Sequence, residues 1–155
     1  MIQIAQMQEC KCDLNKLGTI AKVISQELTI GDVILLNGDL GTGKTTFTKL
    51  LVQHLGGNSE NVTSPTFNLV HRYKTKSFDV WHFDLYRLKS KEELYNLGID
   101  DSLMNGVCIL EWGKIAKDFL PNNCIEIFFK YTANTKIRKI VIQNFINSID
   151  PLPYL

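Results

Sequence analysis

Val33-Ile34-Leu35-Leu36-Asn37-Gly38-Asp39-Leu40-Gly41-Thr42-Gly43-Lys44-Thr45 runs from four apolar residues straight into the pattern G-x-x-x-x-G-K-[ST]. The glycines let a chain wrap closely around an anion and take up positive-φ conformations that a Cβ resists. Backbone N–H groups of such a loop face the phosphate, and a helix starting at Lys44 adds the positive end of its dipole. The Lys44 ammonium reaches terminal phosphates and the Thr45 hydroxyl ligates Mg2+. An apolar strand before and a helical stretch after, residues 46–52, favour this phosphate loop over an ordinary Gly-rich turn. Gly41, Thr42, Gly43, Lys44, Thr45 and Thr46 are therefore expected to bind a nucleotide's phosphates.

Working outward, residues 13–28 place Leu14, Leu17, Ile20, Ala21, Ile24 and Leu28 at helical spacing, with Asp13 able to cap the start. Beyond the loop helix, turn residues at 56–61 lead to two candidate strands, 66–73 and 78–86, which read as a β-hairpin. Ser90-Lys91-Glu92-Glu93 has the capping-box pattern, and the short helix after it should stop at Gly98, with a further turn over 100–104. Val107-Cys108-Ile109-Leu110 is apolar on both faces, as a buried parallel strand is. Residues 124–131 and 136–143 resemble two further strands, and 150–155 an irregular tail. The expectation is one α/β domain over 1–155, a P-loop NTPase-type three-layer fold. Its mainly parallel sheet is flanked by helices and extended by antiparallel strands.

Composition narrows the partners. The 155 residues are 45% hydrophobic and 21% charged with a net charge of +1, so strong nonspecific attraction to nucleic acid or to an acidic membrane is not expected. No basic start, long apolar stretch or membrane-length run is present, which reads as cytoplasmic. Cys10 and Cys12 form a C-x-C pair, yet with only Cys108 and Cys124 elsewhere no compact second pair completes four metal ligands. All four read as reduced structural thiols. His54, His71 and His82 are scattered, and His82 reads as a strand residue rather than a proton carrier.

Hydrolysis needs a metal ligand and a group that positions water besides the loop. Glu111, behind the apolar run 107–110, and Asp84, behind Val80-Trp81-His82-Phe83, compete for these roles at strand ends, where ligands gather in such sheets. Ser64-Pro65-Thr66 is either a Pro-fixed turn or a switch-like segment that senses the γ-phosphate through a hydroxyl. Trp112 reads by its size as a core side chain, with covering a base as the alternative. Arg72, Arg87 and Arg138 read as surface ion-pair residues, with contact to phosphate as the alternative for each. The only Asn-Lys, at 15–16, precedes the loop and lacks the acid that reads guanine, which favours adenine or unspecific base recognition.

Taken together, the loop with Thr46-Phe47, Ser64-Pro65-Thr66-Phe67, His82-Phe83-Asp84-Leu85-Tyr86-Arg87, Glu93-Leu94 with Leu97-Gly98-Ile99, and Glu111-Trp112 closely resemble the bacterial TsaE family. The resemblance implies an ATPase that supports threonylcarbamoyladenosine formation in tRNA near the anticodon. It implies action with TsaB and TsaD, and contact with tRNA only through that complex. Carried over by position, it makes Lys44 the phosphate lysine, Thr45 and Glu111 the Mg2+ ligands, and Asp84 a catalytic or water-orienting acid. It puts Trp112 near the nucleotide and residues around Asp13 and Arg138 about the base. Thr42 replaces the alanine common at its position, which the loop accepts because its contacts are through the backbone. A nucleotide-dependent binding module, whose occupancy rather than hydrolysis controls docking, is the alternative. A small-molecule kinase lacks room for a lid.

Overall fold

A computed structural model describes residues 8–121 and 124–143. The elements follow in the order β1 (Gln8–Cys12), α1 (Leu14–Glu27), β2 (Val33–Asn37), α2 (Lys44–His54), β3 (Val70–Tyr73), β4 (Asp79–Asp84), α3 (Lys91–Asn96), α4 (Ile99–Asn105), β5 (Gly106–Glu111), β6 (Ile125–Tyr131) and β7 (Arg138–Gln143). Short 3-10 turns occupy Ser59–Asn61 and Gly113–Phe119. The strands form one sheet in the order β1-β7-β6-β2-β5-β4-β3. Its centre, β6-β2-β5-β4, is parallel, and the pairs β1–β7, β6–β7 and β3–β4 are antiparallel.

Alternation along the central strands builds two cores. Ile34, Leu36, Val107 and Ile109 join the layer under α1 and α2, whereas Val33, Leu35, Cys108 and Leu110 join the layer under α3, α4 and the 3-10 turn at 113–119. Both faces are thus covered, which is why these strands are apolar throughout and not alternating. The three-layer architecture, a sheet parallel at its centre and extended by antiparallel strands, is as expected. The N-terminal cap of α1 is the Asp13 carboxylate, which accepts from the Lys16 N–H at 2.9 Å. Ser90 and Glu93 form both halves of the capping box of α3, and Gly98, at φ +82, ends that helix and opens α4.

Three details depart from the expectation. β1 was not foreseen: Glu9 and Lys11 point outward while Cys10 and Cys12 point inward, so the cysteines act as small apolar residues, as free thiols do. Residues 66–69 form no strand. The Leu69 N–H closes a turn onto the Pro65 carbonyl at 2.7 Å and Leu69 takes φ +65, so the hairpin starts at Val70. The second strand stops at Asp84, not Tyr86. The expected tail at 150–155 lies outside the described residues.

Candidate functional site

β2 delivers the loop to the carboxyl end of the parallel strands, and the same end carries both acids. Asp84 closes β4 and Glu111 closes β5, directly opposite one another in the ladder. His82 and Asp84 share a face with Ile109 and Glu111, on the side of the sheet covered by α2. A cavity of about 670 Å3 results, in which Gly41, Gly43, Lys44, Thr45 and Thr46 face Asp84, Tyr86, Glu111 and Trp112, with Ser64 and Thr66 along one side.

The loop takes the positive φ values its glycines permit, +152° at Gly38, +78° at Gly41 and +115° at Gly43. Gly43 caps α2 without a side-chain bond, so the first amides of that helix open toward the cavity. The Lys44 ammonium donates to the Gly38 carbonyl and, at 3.4 Å, to the Asp39 carbonyl, and lies 4.8 Å from the centre of the Trp112 ring. The β6–β7 hairpin holds the loop from the other side. Tyr131 donates its hydroxyl to the Leu40 carbonyl at 2.5 Å and Arg138 its Nε–H to the Thr42 carbonyl at 3.2 Å. Arg138 also lies 4.9 Å from the Tyr131 ring.

Thr42 stands beneath the loop and does not line the cavity. Its side chain is 1% exposed and its hydroxyl donates to the Asp39 carbonyl at 2.7 Å, so its contacts are not through the backbone alone. Trp112 is not a core residue: it is 41% exposed, takes φ +57, and stacks obliquely on Tyr86 with ring centres 5.1 Å apart. The left-handed turn at Trp112 swings the indole out of the sheet and over the cavity. Asp13 caps α1 and is not among the residues lining the cavity.

The two acids are held differently. Asp84 is 5% exposed and accepts the Tyr86 N–H at Oδ1, 3.1 Å away. Glu111 is 4% exposed and accepts from Nε2 of the wholly buried His82 at Oε1, 2.9 Å away. Each carboxylate thus has one oxygen committed to the protein and a second that the cavity can use. The Ser64 and Thr66 hydroxyls lie 2.9 Å from one another. The His82–Glu111 pair is absent from the expected site residues, although His82 stands two residues before Asp84 in the very signature that singled Asp84 out.

Thr45, Asp84 and Glu111 offer oxygen donors only, and two carboxylates are fewer than an all-protein cage needs. Among the described residues no group of three or more His, Cys, Asp or Glu could hold a metal by itself. Mg2+ suits such a set, because it commonly takes one or two carboxylates together with substrate phosphates.

Arg138 braces the loop and is not the surface ion-pair residue expected, whereas Arg72 and Arg87 lie away from it. Arg72 pairs with Asp79 at 2.5 Å, as the surface reading has it, whereas Arg87 lies 5.2 Å from the Phe67 ring. No helix among the described residues is long and apolar enough to cross a membrane.

Comparison with known proteins bears on the same residues. The family described as "Threonylcarbamoyl adenosine biosynthesis protein TsaE" matches residues 12–140. A "tRNA threonylcarbamoyladenosine biosynthesis protein TsaE" of Rickettsia typhi is 42% identical over 127 residues, spanning 81% of this chain and 88% of that protein. Its namesake in Haemophilus influenzae is 38% identical over 125 residues, spanning 74% of this chain and 78% of its own. Among solved structures, the crystal structure of YdiB from Bacillus subtilis superposes with a TM-score of 0.69 at 27% identity, covering 91% of this chain and 87% of that one.

Proposed function

The chain belongs to the TsaE family, and from that premise we propose that it is a Mg2+-dependent ATPase serving threonylcarbamoyladenosine modification of tRNA near the anticodon. One observation carries the reading: a glycine loop with Lys44 and Thr45 shares a cavity with two buried carboxylates at the ends of adjacent parallel strands. Phosphate binding alone needs no such acids; phosphoryl transfer to water does.

The loop amides, the start of α2 and the Lys44 ammonium would bind the β- and γ-phosphates of ATP and meet the charge that spreads over the transferring group. Thr45 and Glu111 would hold Mg2+. Held by these residues, it would supply positive charge against the transferring phosphoryl group. Asp84, through the oxygen not engaged by Tyr86, would orient the attacking water, and Ser64 and Thr66 would sense the γ-phosphate. Trp112, exposed at the cavity edge, would cover the nucleotide and exclude solvent. Lys44, Asp84 and Glu111 are thus the catalytic residues. No arginine lines the cavity among the described residues, which supports slow turnover by the isolated chain. The site of action is the cytoplasm, with TsaB and TsaD as partners and tRNA reached through their complex.

That missing arginine also favours a second reading, a binding module in which ATP occupancy controls docking. Phosphate release from Mg2+-ATP, and tRNA modification reconstituted with TsaB and TsaD, test both. Lys44→Ala is expected to abolish phosphate release; full activity in that variant would overturn the site assignment. Modification that proceeds equally without this chain would overturn the pathway role. Asp84→Ala or Glu111→Gln chains that bind ATP without hydrolysing it, yet support full modification, would favour the binding module.

A further inference from the structure

His82 is wholly buried on β4, and its Nε2 lies 2.9 Å from Glu111 Oε1. An ionised carboxylate only accepts hydrogen bonds, so the ring carries its proton on Nε2 and donates it. Nδ1 has no partner among the described residues. A buried nitrogen left unpaired is a cost that phenylalanine or leucine at this position would not carry, so the contribution of the imidazole lies in its Nε2 bond.

The geometry shows what that bond does. His82 stands opposite Ile109, and Glu111 opposite Asp84, so the contact runs diagonally across the ladder and needs a side chain of this length. The ring is backed by Tyr73, with centroids 6.3 Å apart, and the Tyr73 hydroxyl is in turn held by the Thr63 carbonyl at 3.1 Å. The imidazole therefore sits in a fixed place, one oxygen of Glu111 is fixed by it, and the rotation of the carboxylate is fixed with that oxygen.

We propose that His82 is a positioning residue for Glu111: by holding Oε1 it presents Oε2 to the cavity in one orientation, as a single-oxygen ligand for the nucleotide's metal. The proposal rests on the reading of Glu111 as a metal ligand. Partners that orient a ligating carboxylate from behind govern how tightly the metal is held.

The test titrates Mn2+ into the intact chain loaded with a non-hydrolysable ATP analogue, reading bound metal by electron paramagnetic resonance. His82→Phe keeps a ring and removes the donor. His82→Gln puts an amide N–H close to where Nε2 stands, and His82→Asn puts one near Nδ1 instead. His82→Phe is expected to raise the half-saturating Mn2+ concentration roughly 10-fold or more, with metal-free analogue binding unchanged. His82→Gln should restore most of the loss and His82→Asn should not. A side chain that merely fills space predicts the reverse order, with Phe as good as His and Gln worse.

Wild-type Mn2+ binding by His82→Phe would overturn the positioning role. Where that variant fails to fold, equal Mn2+ affinity in His82→Gln and His82→Asn would overturn it. Glu111→Gln separates the two levels. Loss of Mn2+ there beside retention in His82→Phe removes only the positioning role, whereas retention in Glu111→Gln removes the metal-ligand reading and this proposal with it.

Discussion

Glu111→Ala should be less stable than Glu111→Gln by at least the worth of one buried donor, since alanine also gives up the buried methylenes that glutamine keeps. Both remove the same carboxylate from a site where it and Asp84, directly opposite in the ladder, are 5% exposed or less, so the two variants lose the same charge. Gln keeps an acceptor for the His82 Nε2–H, while Ala leaves that donor without one in a residue of 0% exposure. An unsatisfied buried donor costs about 1–3 kcal/mol, toward the lower end where water enters through the opened cavity. For a domain of this size each kcal/mol moves the melting temperature by about 2–4 °C. The alanine variant should therefore melt roughly 2–12 °C below the glutamine variant from the lost donor alone. Glutamine itself should melt close to the wild type, because it keeps an acceptor for the His82 donor. Circular dichroism melts in chelator, without nucleotide, read the difference directly. An alanine variant melting as high as the glutamine one would refute the buried donor's part. A glutamine variant melting several degrees below wild type would refute the reading that an acceptor at this position is what the buried donor needs.

Gly38→Ala should cost about 1–3 kcal/mol for a side chain forced to positive φ, and should lower ATP affinity in equilibrium binding. The added Cβ would come 2.6 Å from the Phe129 carbonyl and 2.7 Å from the Thr42 hydroxyl, at φ +152. Intrinsic fluorescence should respond to ATP in wild type and in Trp81→Phe but not in Trp112→Phe, because Trp112 lines the cavity and Trp81 lies under Arg72. The Cys12 thiol, hydrogen-bonded to Cys10, draws the Cys10 thiol down to about 7, against burial, while Cys108 is pushed up to about 12 by burial. Iodoacetamide at neutral pH should label Cys10 well before Cys108, as peptide mass mapping would show. Since the folded Cys10 value lies below its unfolded one, the thiolate's contribution to stability should grow from about pH 7 to pH 9 and be lost as pH falls through 7. Urea melts of Cys10→Ser against wild type at the two ends of that window check the sign.

What could be read in advance followed local chemistry. The loop, the Asp13 cap, the Ser90–Glu93 box and the apolar run 107–110 of β5 each depend on residues a few positions apart, and each stands where its pattern put it. β1 escaped because its inward residues are Cys10 and Cys12, which carry the alternation of a strand without looking apolar. Leu69 escaped because a left-handed turn at a leucine leaves no mark in composition. The same holds for Trp112, whose size suggests the core and whose φ decides otherwise. The His82–Glu111 bond joins residues 29 apart through a diagonal that exists only once β4 and β5 pair in parallel register, and no spacing rule expresses that.

The position of β2 has a consequence for how the molecule breathes. Among the described residues three strands stand on each side of it, and the outermost are β1 and β3, each paired along one edge only. Fraying starts at such edges and reaches the middle last. Amide protons of Ile34 to Leu36 should thus exchange with solvent only when the whole molecule unfolds, while those of β1 and β3 exchange through small local openings. The Thr63 to Leu69 segment leads directly into β3, on the side where opening is easy. The phosphate loop is thereby seated on the strand expected to exchange last, and the Ser64–Thr66 rim of its cavity leads into one expected to exchange early.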